Sequence, residues 1–315
     1  MSRDTCKKLV VFCEDKNTIT PAGFGNVPMS VKEMLYITIW YLASQIPLSC
    51  ISLLFDCAIS SIWSAIDQIT SILEKNQAHF IKWPTAEEAP LVAAKFEDMA
   101  GFPGVLGDID GTHIDFQAPS KNQADYNNRK FHHSLNLLAV CLPNRAFSYT
   151  FAGFPGSAHD TRVYRCSDLG QKMYDDPASL FPSSAFCILG DSAFPCTTYL
   201  IPAIKAAFAN TQEERRFNSK LSKTHIVIEH AFGDLKNTWR RLLFVHANLE
   251  KAVKIISACC VLHNFLIENG ERFVTYQLIE STDDSTLDEF ADDWFSTFSG
   301  IEKRNELIDM LGRNE

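Results

Sequence analysis

From Glu33 to Glu74 the chain carries no lysine and no arginine, while Glu33, Asp56, Asp67 and Glu74 are acidic. A segment without cations lacks the phosphate contacts on which nucleic-acid binding draws. No CxxC pair occurs among the ten cysteines, which argues against a zinc site built on cysteine pairs. GxGxxG, GxxxxGK[ST] and GxSxG are all missing, which disfavours dinucleotide, P-loop and nucleophile-elbow chemistry. HIVIEH sets His225 and His230 around Glu229, but the zinc-protease pattern H-x-x-E-H needs the first histidine one position closer. MSRDTCKKLVVFCEDK flanks a short apolar stretch with charges on both sides, unlike a signal peptide. Met34 to Phe55 is uncharged, yet Ser44, Gln45, Pro47, Ser49 and Ser52 interrupt it, so no membrane span is expected.

What is present is ordinary for a folded soluble protein. The 315 residues suffice for one large domain or two modest ones. Hydrophobic residues at 46% against charged residues at 21% exclude a disordered chain. The net charge of −9 is uneven: residues 281–315 hold ten acids against three Lys/Arg, whereas 101–280 hold 18 Lys/Arg against 17 acids. The acidity is mostly a property of the tail and does not exclude a nucleic-acid partner for the middle of the chain. Cys141, Cys187, Cys259 and Cys260 lie in apolar runs, where free cysteine acts as a small hydrophobe. A reduced, intracellular protein is expected.

Residues 1–30, with Pro21, Gly23, Gly25 and Pro28, read as a poorly ordered leader. Residues 31–84 read as a helical segment. Ser30 can cap a helix to about Ser44, Pro47 can open a second, and Ser60 or Ser61 a third, with Ile62, Ala65, Ile66, Ile69 and Ile72 on one face. Three short helices suit a helix-turn-helix or a plain packing module. From about 100 to 270 the character is α/β. Val105–Phe116 reads as a strand, 134–152 as a hairpin turning at Pro143-Asn144-Arg145, and Asp160–Leu169 as a short helix. Phe186–Leu189 reads as a buried strand, 211–242 as helix, and Lys251–Glu268 as a further helix closed by Asn269-Gly270. This order suggests a mixed sheet with flanking helices. Residues 281–315 read as an acidic tail, with 281–298 expected to lie outside the packed domain.

Four carboxylates stand where chains place functional groups. Asp110 follows an apolar strand in GDIDGTH, Asp191 ends one in FCILGDSAFP, Asp160 opens a helix in GSAHDTRV, and Glu229 sits among apolar neighbours in HIVIEHAFG. Each has a bland alternative. Asp before Gly marks turns, Asp160 and Asp191 can cap helices, and Glu229 can be a paired helix carboxylate. Together they would form a hard, all-oxygen site suited to Mg²⁺ or Mn²⁺. Between residues 205 and 254, Lys205, Arg215, Arg216, Lys220, Lys223, Lys236, Arg240, Arg241, Lys251 and Lys254 suit either a DNA backbone or a solvated helical face.

The blocks GDIDGTHI, NNRKFHHSLNLLAVC, FAGFPGSAHDTRVY, ILGDSAFP, FNSKLSKTHIVIEHAFGDLKNTWRRLL and CCVLHNFLIENG occur in the order in which the sequence resembles PIF/Harbinger-type DDE transposases and their domesticated relatives, the Harbinger transposase-derived nucleases. Over 31–84 the likeness is weaker and ends at Trp83-Pro84. The resemblance implies an RNase H-like fold. In it the first Asp sits on the first strand, the second at the end of the fourth, and the Glu on a later helix. Carried onto this chain, the catalytic residues are Asp110, Asp191 and Glu229, and the metal ligands are those three with Asp160. It implies a divalent cofactor, Mg²⁺ or Mn²⁺, and two-metal in-line attack on a phosphodiester. It further implies DNA as substrate, a separate Myb/SANT-like DNA-binding partner, and a nuclear location, possible cytoplasmic presence aside. A DNA endonuclease is the expected activity, with a catalytically silent DNA- or protein-binding factor as the alternative. Two positions depart from the family pattern: His225 stands where an arginine is usual four residues before the Glu, and Asp234 where Arg or Lys is frequent.

Overall fold

The computed structural model describes residues 1–16, 29–273 and 296–313. Its helices are α1 (Arg3–Lys16), α2 (Val31–Ala43), α3 (Leu48–Phe55), α4 (Ile59–Lys75), α5 (Gln77–Phe80), α6 (Ala89–Ala100), α7 (Asp160–Cys166), α8 (Asp168–Asp175), α9 (Gln212–Thr238), α10 (Leu249–Glu268) and α11 (Phe298–Arg313). Its strands are β1 (Val105–Asp115), β2 (Ser134–Cys141), β3 (Phe147–Pro155), β4 (Cys187–Gly190) and β5 (Leu200–Pro202). The chain divides into two compact units. One holds residues 1–81, 113–135 and 234–276, the other 82–112, 136–233 and 277–315.

The first unit is mainly helical. Ser30 opens α2 with a capping box: its Oγ accepts from the Glu33 amide at 3.2 Å, and Glu33 Oε2 accepts from the Ser30 amide at 2.8 Å. Pro47 precedes α3 as expected. The next helix starts earlier than Ser60 or Ser61, because the Ser61 and Ile62 amides already donate to the Ala58 carbonyl. Helix α4 contacts both α2 and α10, and buries Ile62, Ala65, Ile66, Ile69 and Ile72. Residues 31–75 are thus packed as a core layer. No single described helix is long and apolar enough to cross a membrane.

Two expectations about the ends are corrected. Residues 3–16 of the supposed leader are the helix α1, because Thr5, Leu9 and Cys13 recur every four residues and are all buried. Residues 17–28 lie outside the described residues. In the acidic tail, residues 298–313 are α11, whose Leu307, Ile308 and Leu311 enter the core while Glu302, Glu306 and Asp309 face outward. Acid count hid an amphipathic helix. Lys303 anchors it, its Nζ donating to the carbonyls of Ser184, Phe186 and Thr198 at 2.7, 2.9 and 2.9 Å. Residues 281–295 of the expected tail lie outside the described residues. Helix α10, expected in the α/β domain, belongs to the helical unit.

The second unit is α/β. Its five-stranded sheet has the order β3-β2-β1-β4-β5, with β4 parallel to both β1 and β5. Strand β2 is buried throughout, which is why LNLLAVC reads as a continuous apolar run. Each face of the sheet carries its own core. Leu106, Ile109, Leu138 and Ile188 pack with Val163, Leu169 and Met173 of α7 and α8. Val105, Cys187, Leu189 and Ile201 pack with Phe96, Phe217, Leu221 and Leu311 of α6, α9 and α11. Along β4 these residues alternate between the faces, and along β1 a register irregularity between Val105 and Gly107 puts Leu106 and Ile109 in the same core, so the sheet is the middle of three layers. A mixed α/β sheet with flanking helices after an N-terminal helical segment agrees with the expected RNase H-like class.

Arg241 is the pin of the helical unit. It is 3% exposed. Its guanidinium donates to the carbonyls of Tyr41 and Ile46 at 3.3 and 2.9 Å and to Gln45 Oε1 at 3.3 Å, and lies 4.1 Å from the Tyr41 ring centroid. Removing it strands the carbonyls of buried Tyr41 and half-buried Ile46. Arg241→Ala is expected to cost about 2–4 kcal/mol in urea denaturation. Arg241→Lys should not restore the loss, because an ammonium cannot reproduce the planar fork or the stack.

Candidate active site

The parallel pairing of β1 with β4 sets the site. Ile109 is in register with Gly190. Asp110 inside β1 and Asp191 just past the end of β4, each one residue further on, therefore lie side by side, at a strand spacing of about 4.8 Å. A glycine is required at 190, since a β-carbon there would lie 2.9 Å from Ile109 Cγ2 and from Phe194. Asp191 folds back on the chain, its Oδ1 accepting from the Ala193 amide at 3.0 Å.

Asp160 comes from across the sheet. It is the first residue of α7, with His159 rather than itself as N-cap. Gly111 makes room for it: a β-carbon there would lie 2.3 Å from Asp160 Oδ1. Asn136 of β2 holds that same oxygen, donating from Nδ2 at 2.7 Å. Asn136 was not picked out from sequence, although an amide inside LNLLAVC is the polar exception that marks it.

Two further groups complete the cluster. Asp108 is fully buried, and its Oδ1 lies 3.1 Å from His225 Nδ1 on α9. The other edge of that imidazole, Nε2, lies 3.8 Å from Asp110 Oδ2. His225, noted only as a departure from the family's arginine, thus bridges a buried carboxylate and the first candidate ligand. Asp108 was missed; its signal was a second acid two residues before Asp110 in GDIDG. Asp108 Oδ2 and Asn136 Oδ1 are buried without a hydrogen-bond partner.

The electrostatics follow from crowding. Burial pushes the Asp110 carboxyl well above the carboxylate range, with Asp191 and Asp160 adding repulsion and His225 opposing. Asp191 is pushed up to about 6 by burial and then by Asp160. Burial would lower the His225 pKa, but Asp108, Asp110 and Asp191 reverse this and raise it to about 10. Glu229 is one turn beyond His225 on α9 and is exposed, as is Ile226, while Val227, Ile228, Ala231 and Phe232 are buried. The apolar setting expected for Glu229 belongs to the opposite stripe of the helix. The structure thus gathers Asp110, Asp160 and Asp191 with Asp108 and His225. Among the described residues, no group of three or more His, Cys, Asp or Glu side chains is placed to hold a metal ion as the chain stands.

A family profile described as DDE superfamily endonuclease matches residues 109–264. "Putative nuclease HARBI1" of human is 36% identical over 217 residues, covering 67% of this chain and 60% of that protein. The chain belongs to the Harbinger-derived DDE family. The frog HARBI1 protein, from Xenopus laevis, is 28% identical over a similar span. Protein ALP1-like of Arabidopsis thaliana is 26% identical across 100% of this chain and 80% of its own length. The chain thus spans about three fifths of the length of the HARBI1 relatives. No solved structure matches it.

The Asp108–His225 pair is a buried ion pair, so breaking it is costlier than its presence is beneficial. His225→Ala is expected to destabilise the chain by about 3–5 kcal/mol, with the double variant Asp108→Ala/His225→Ala losing less. The His225 contribution has a direction in pH. Its folded pKa of about 10 lies above the ordinary value of 6.5, so the contribution is complete below about pH 6.5 and is lost as the pH rises toward 10. The stability gap between wild type and His225→Gln should therefore narrow between pH 6 and pH 10 in chemical denaturation.

Proposed function

We propose that the chain is a divalent-metal-dependent DNA endonuclease of the DDE type, with Asp110, Asp191 and Glu229 catalytic and Asp160 a further metal ligand. The observation that carries this reading is the forced adjacency of Asp110 and Asp191 on parallel strands with Asp160 in their field. The strand and helix positions of the three proposed catalytic residues are also those implied by family membership.

The donor set fits Mg²⁺ or Mn²⁺. Its oxygens are hard, and burial and mutual repulsion hold two of the carboxyls above their ordinary pKa, a cost that a dication would offset. The orphaned oxygens of Asp108 and Asn136 mark the same place as electron-rich. Bound there, divalent ions would supply an activated nucleophile and stabilise the leaving 3′-oxygen of a phosphodiester. The chain's own residues do the positioning. Asn136 keeps one Asp160 oxygen oriented, the Ala193 amide does so for Asp191, and His225 braces Asp110. Glu229, exposed on α9 one turn beyond His225, enters the set on the family pattern. Exposed Lys223 on the same helix supports a polyanionic substrate. A Myb/SANT-like DNA-binding partner and nuclear action belong to the same proposal, supported by the lack of cations from Glu33 to Glu74.

The test is nicking of supercoiled plasmid by the full chain in Mg²⁺ or Mn²⁺. Asp191→Asn and Glu229→Gln should abolish metal-dependent nicking, and Asp160→Ala should retain more activity than Asp191→Ala. A chain that never nicks, with soluble folded protein in hand, would leave the silent-factor alternative standing. Cation binding is read separately by melting. Ionising Asp191 costs stability as the pH rises from about 4 through about 6. Below that range protons compete with the metal, so the rise in Tm on adding Mn²⁺ should be larger at pH 8 than at pH 5.

A further inference from the structure

The loop between β1 and β2 presents an aromatic side chain that nothing in its own unit explains. Phe131 is 86% exposed, and its φ is +60°. A bulky residue in the left-handed region is strained, and here burial returns nothing for it. The strain is nonetheless built in. Asn128, itself buried, accepts at Oδ1 from the amides of Lys130 and His132 at 2.9 and 3.0 Å, and its own amide donates to the His132 carbonyl at 2.8 Å. The Phe131 amide donates to the Asn128 carbonyl at 2.9 Å. Asn128 Nδ2 ties the loop to Ser134 Oγ at 3.1 Å, where β2 begins. The result is a tight, five-residue hook with Phe131 at its tip.

The approach to that tip is basic. Arg129 and Lys130 precede the ring and are exposed, while His132 after it faces Asp115, its Nδ1 3.2 Å from Oδ2. An exposed ring beside two cations on a hydrogen-bonded hook fits a nucleic acid: the cations match phosphates and the ring offers a face to an unstacked base. A hydrophobic protein pocket would not call for Arg129 and Lys130 next to the ring, and an acidic peptide would not call for the ring. We infer that Phe131 is a stacking wedge that takes an unpaired or unstacked base of DNA while Arg129 and Lys130 hold the adjoining phosphates. The inference rests on the DNA reading above but concerns recognition, not the carboxylates.

The test uses the full chain and DNA duplexes carrying a single unpaired 2-aminopurine, whose fluorescence is quenched by stacking. Wild type should bind by anisotropy and quench the probe. Phe131→Ala should lose the quenching and weaken binding by roughly 5- to 150-fold, the range for one lost base stack. Phe131→Trp should keep both. Phe131→Gly separates function from folding: glycine accepts a positive φ without strain, so its Tm should equal or exceed that of wild type while quenching is lost. Asp191→Asn should quench like wild type, which distinguishes failure of the wedge from failure of the nuclease. Binding without quenching by wild type, or undiminished affinity and quenching in Phe131→Gly, would overturn the wedge and leave the nuclease reading intact. Absence of any DNA binding would overturn both.

Discussion

Two carboxylates on adjacent parallel strands, Asp110 inside β1 and Asp191 at the end of β4, repel one another, and much of the α/β unit can be understood as holding them there. The register that pairs Ile109 with Gly190 puts Asp110 beside Asp191 whether or not their charges agree. The strands cannot slip to relieve the repulsion, because a one-residue shift would turn Val105, Cys187 and Leu189 out of one core and Leu106, Ile109 and Ile188 out of the other. Hydrophobic burial on both faces of the sheet thus fixes an electrostatically unfavourable arrangement. Unfavourable charge held by a rigid scaffold is the usual signature of a site that awaits a partner charge.

The supports around the pair are chosen for shape as much as for charge. Gly111 and Gly190 are backbone positions where a methyl group would collide with Asp160 or with Phe194, so each glycine trades helix or strand propensity for a side chain's space. Asn136 places an amide donor against Asp160 in an otherwise apolar strand. Asp108 and His225 put an ion pair beneath Asp110, where the family more often uses an arginine. An imidazole is shorter than a guanidinium, and the buried Asp108 orients it through Nδ1 so that Nε2 faces Asp110. The family membership and this substitution are compatible, because the bracing role needs a donor aimed at Asp110 and not a particular side chain.

Local signals were legible where they were short-range. The cap at Ser30, the proline before α3, the buried apolar run of β2 and the strand-end position of Asp191 are all determined by neighbours in sequence, whereas Asp110, expected at a strand end, lies inside β1. Helix α1 was not legible as such: its buried stripe of Thr5, Leu9 and Cys13 includes a threonine and a cysteine, which scanning for apolar runs overlooks. Helix α11 was hidden by acids that lie on its outer face. The short strand β5 has only three residues and exists because β4 offers it an edge. Asp110, Asp160 and Asp191 were singled out by their expected positions on a strand, at a helix start and at a strand end, whereas Asp108 and Asn136 become functional candidates only when the fold shows them buried with unsatisfied oxygens. Glu229 was assigned an apolar setting because its flanking residues are apolar; a helix sends those neighbours to the opposite side.

Charge count also misjudges how much of a basic segment is available to DNA. Ten cations between 205 and 254 read as one electropositive surface, but the fold has already committed several. Arg241 is buried against Tyr41, Lys236 is buried, and Lys254 pairs with Asp67 at 3.6 Å and Glu250 at 3.3 Å. Lys251 lies over the Trp63 ring at 4.9 Å, and Arg215 donates to the carbonyls of Ala209 and Asn210. Desolvated or internally bonded cations release few counterions on meeting a phosphate chain, so they add little to the salt-dependent part of DNA affinity. Of the ten, Arg215, Lys223 and Arg240 are exposed, and the loop between β1 and β2 adds exposed Arg129 and Lys130. A small phosphate footprint gives weak non-specific binding, and a chain of this kind gains most from contacts that do not depend on charge. Under the proposed DNA reading, the ring at position 131 would supply one such contact.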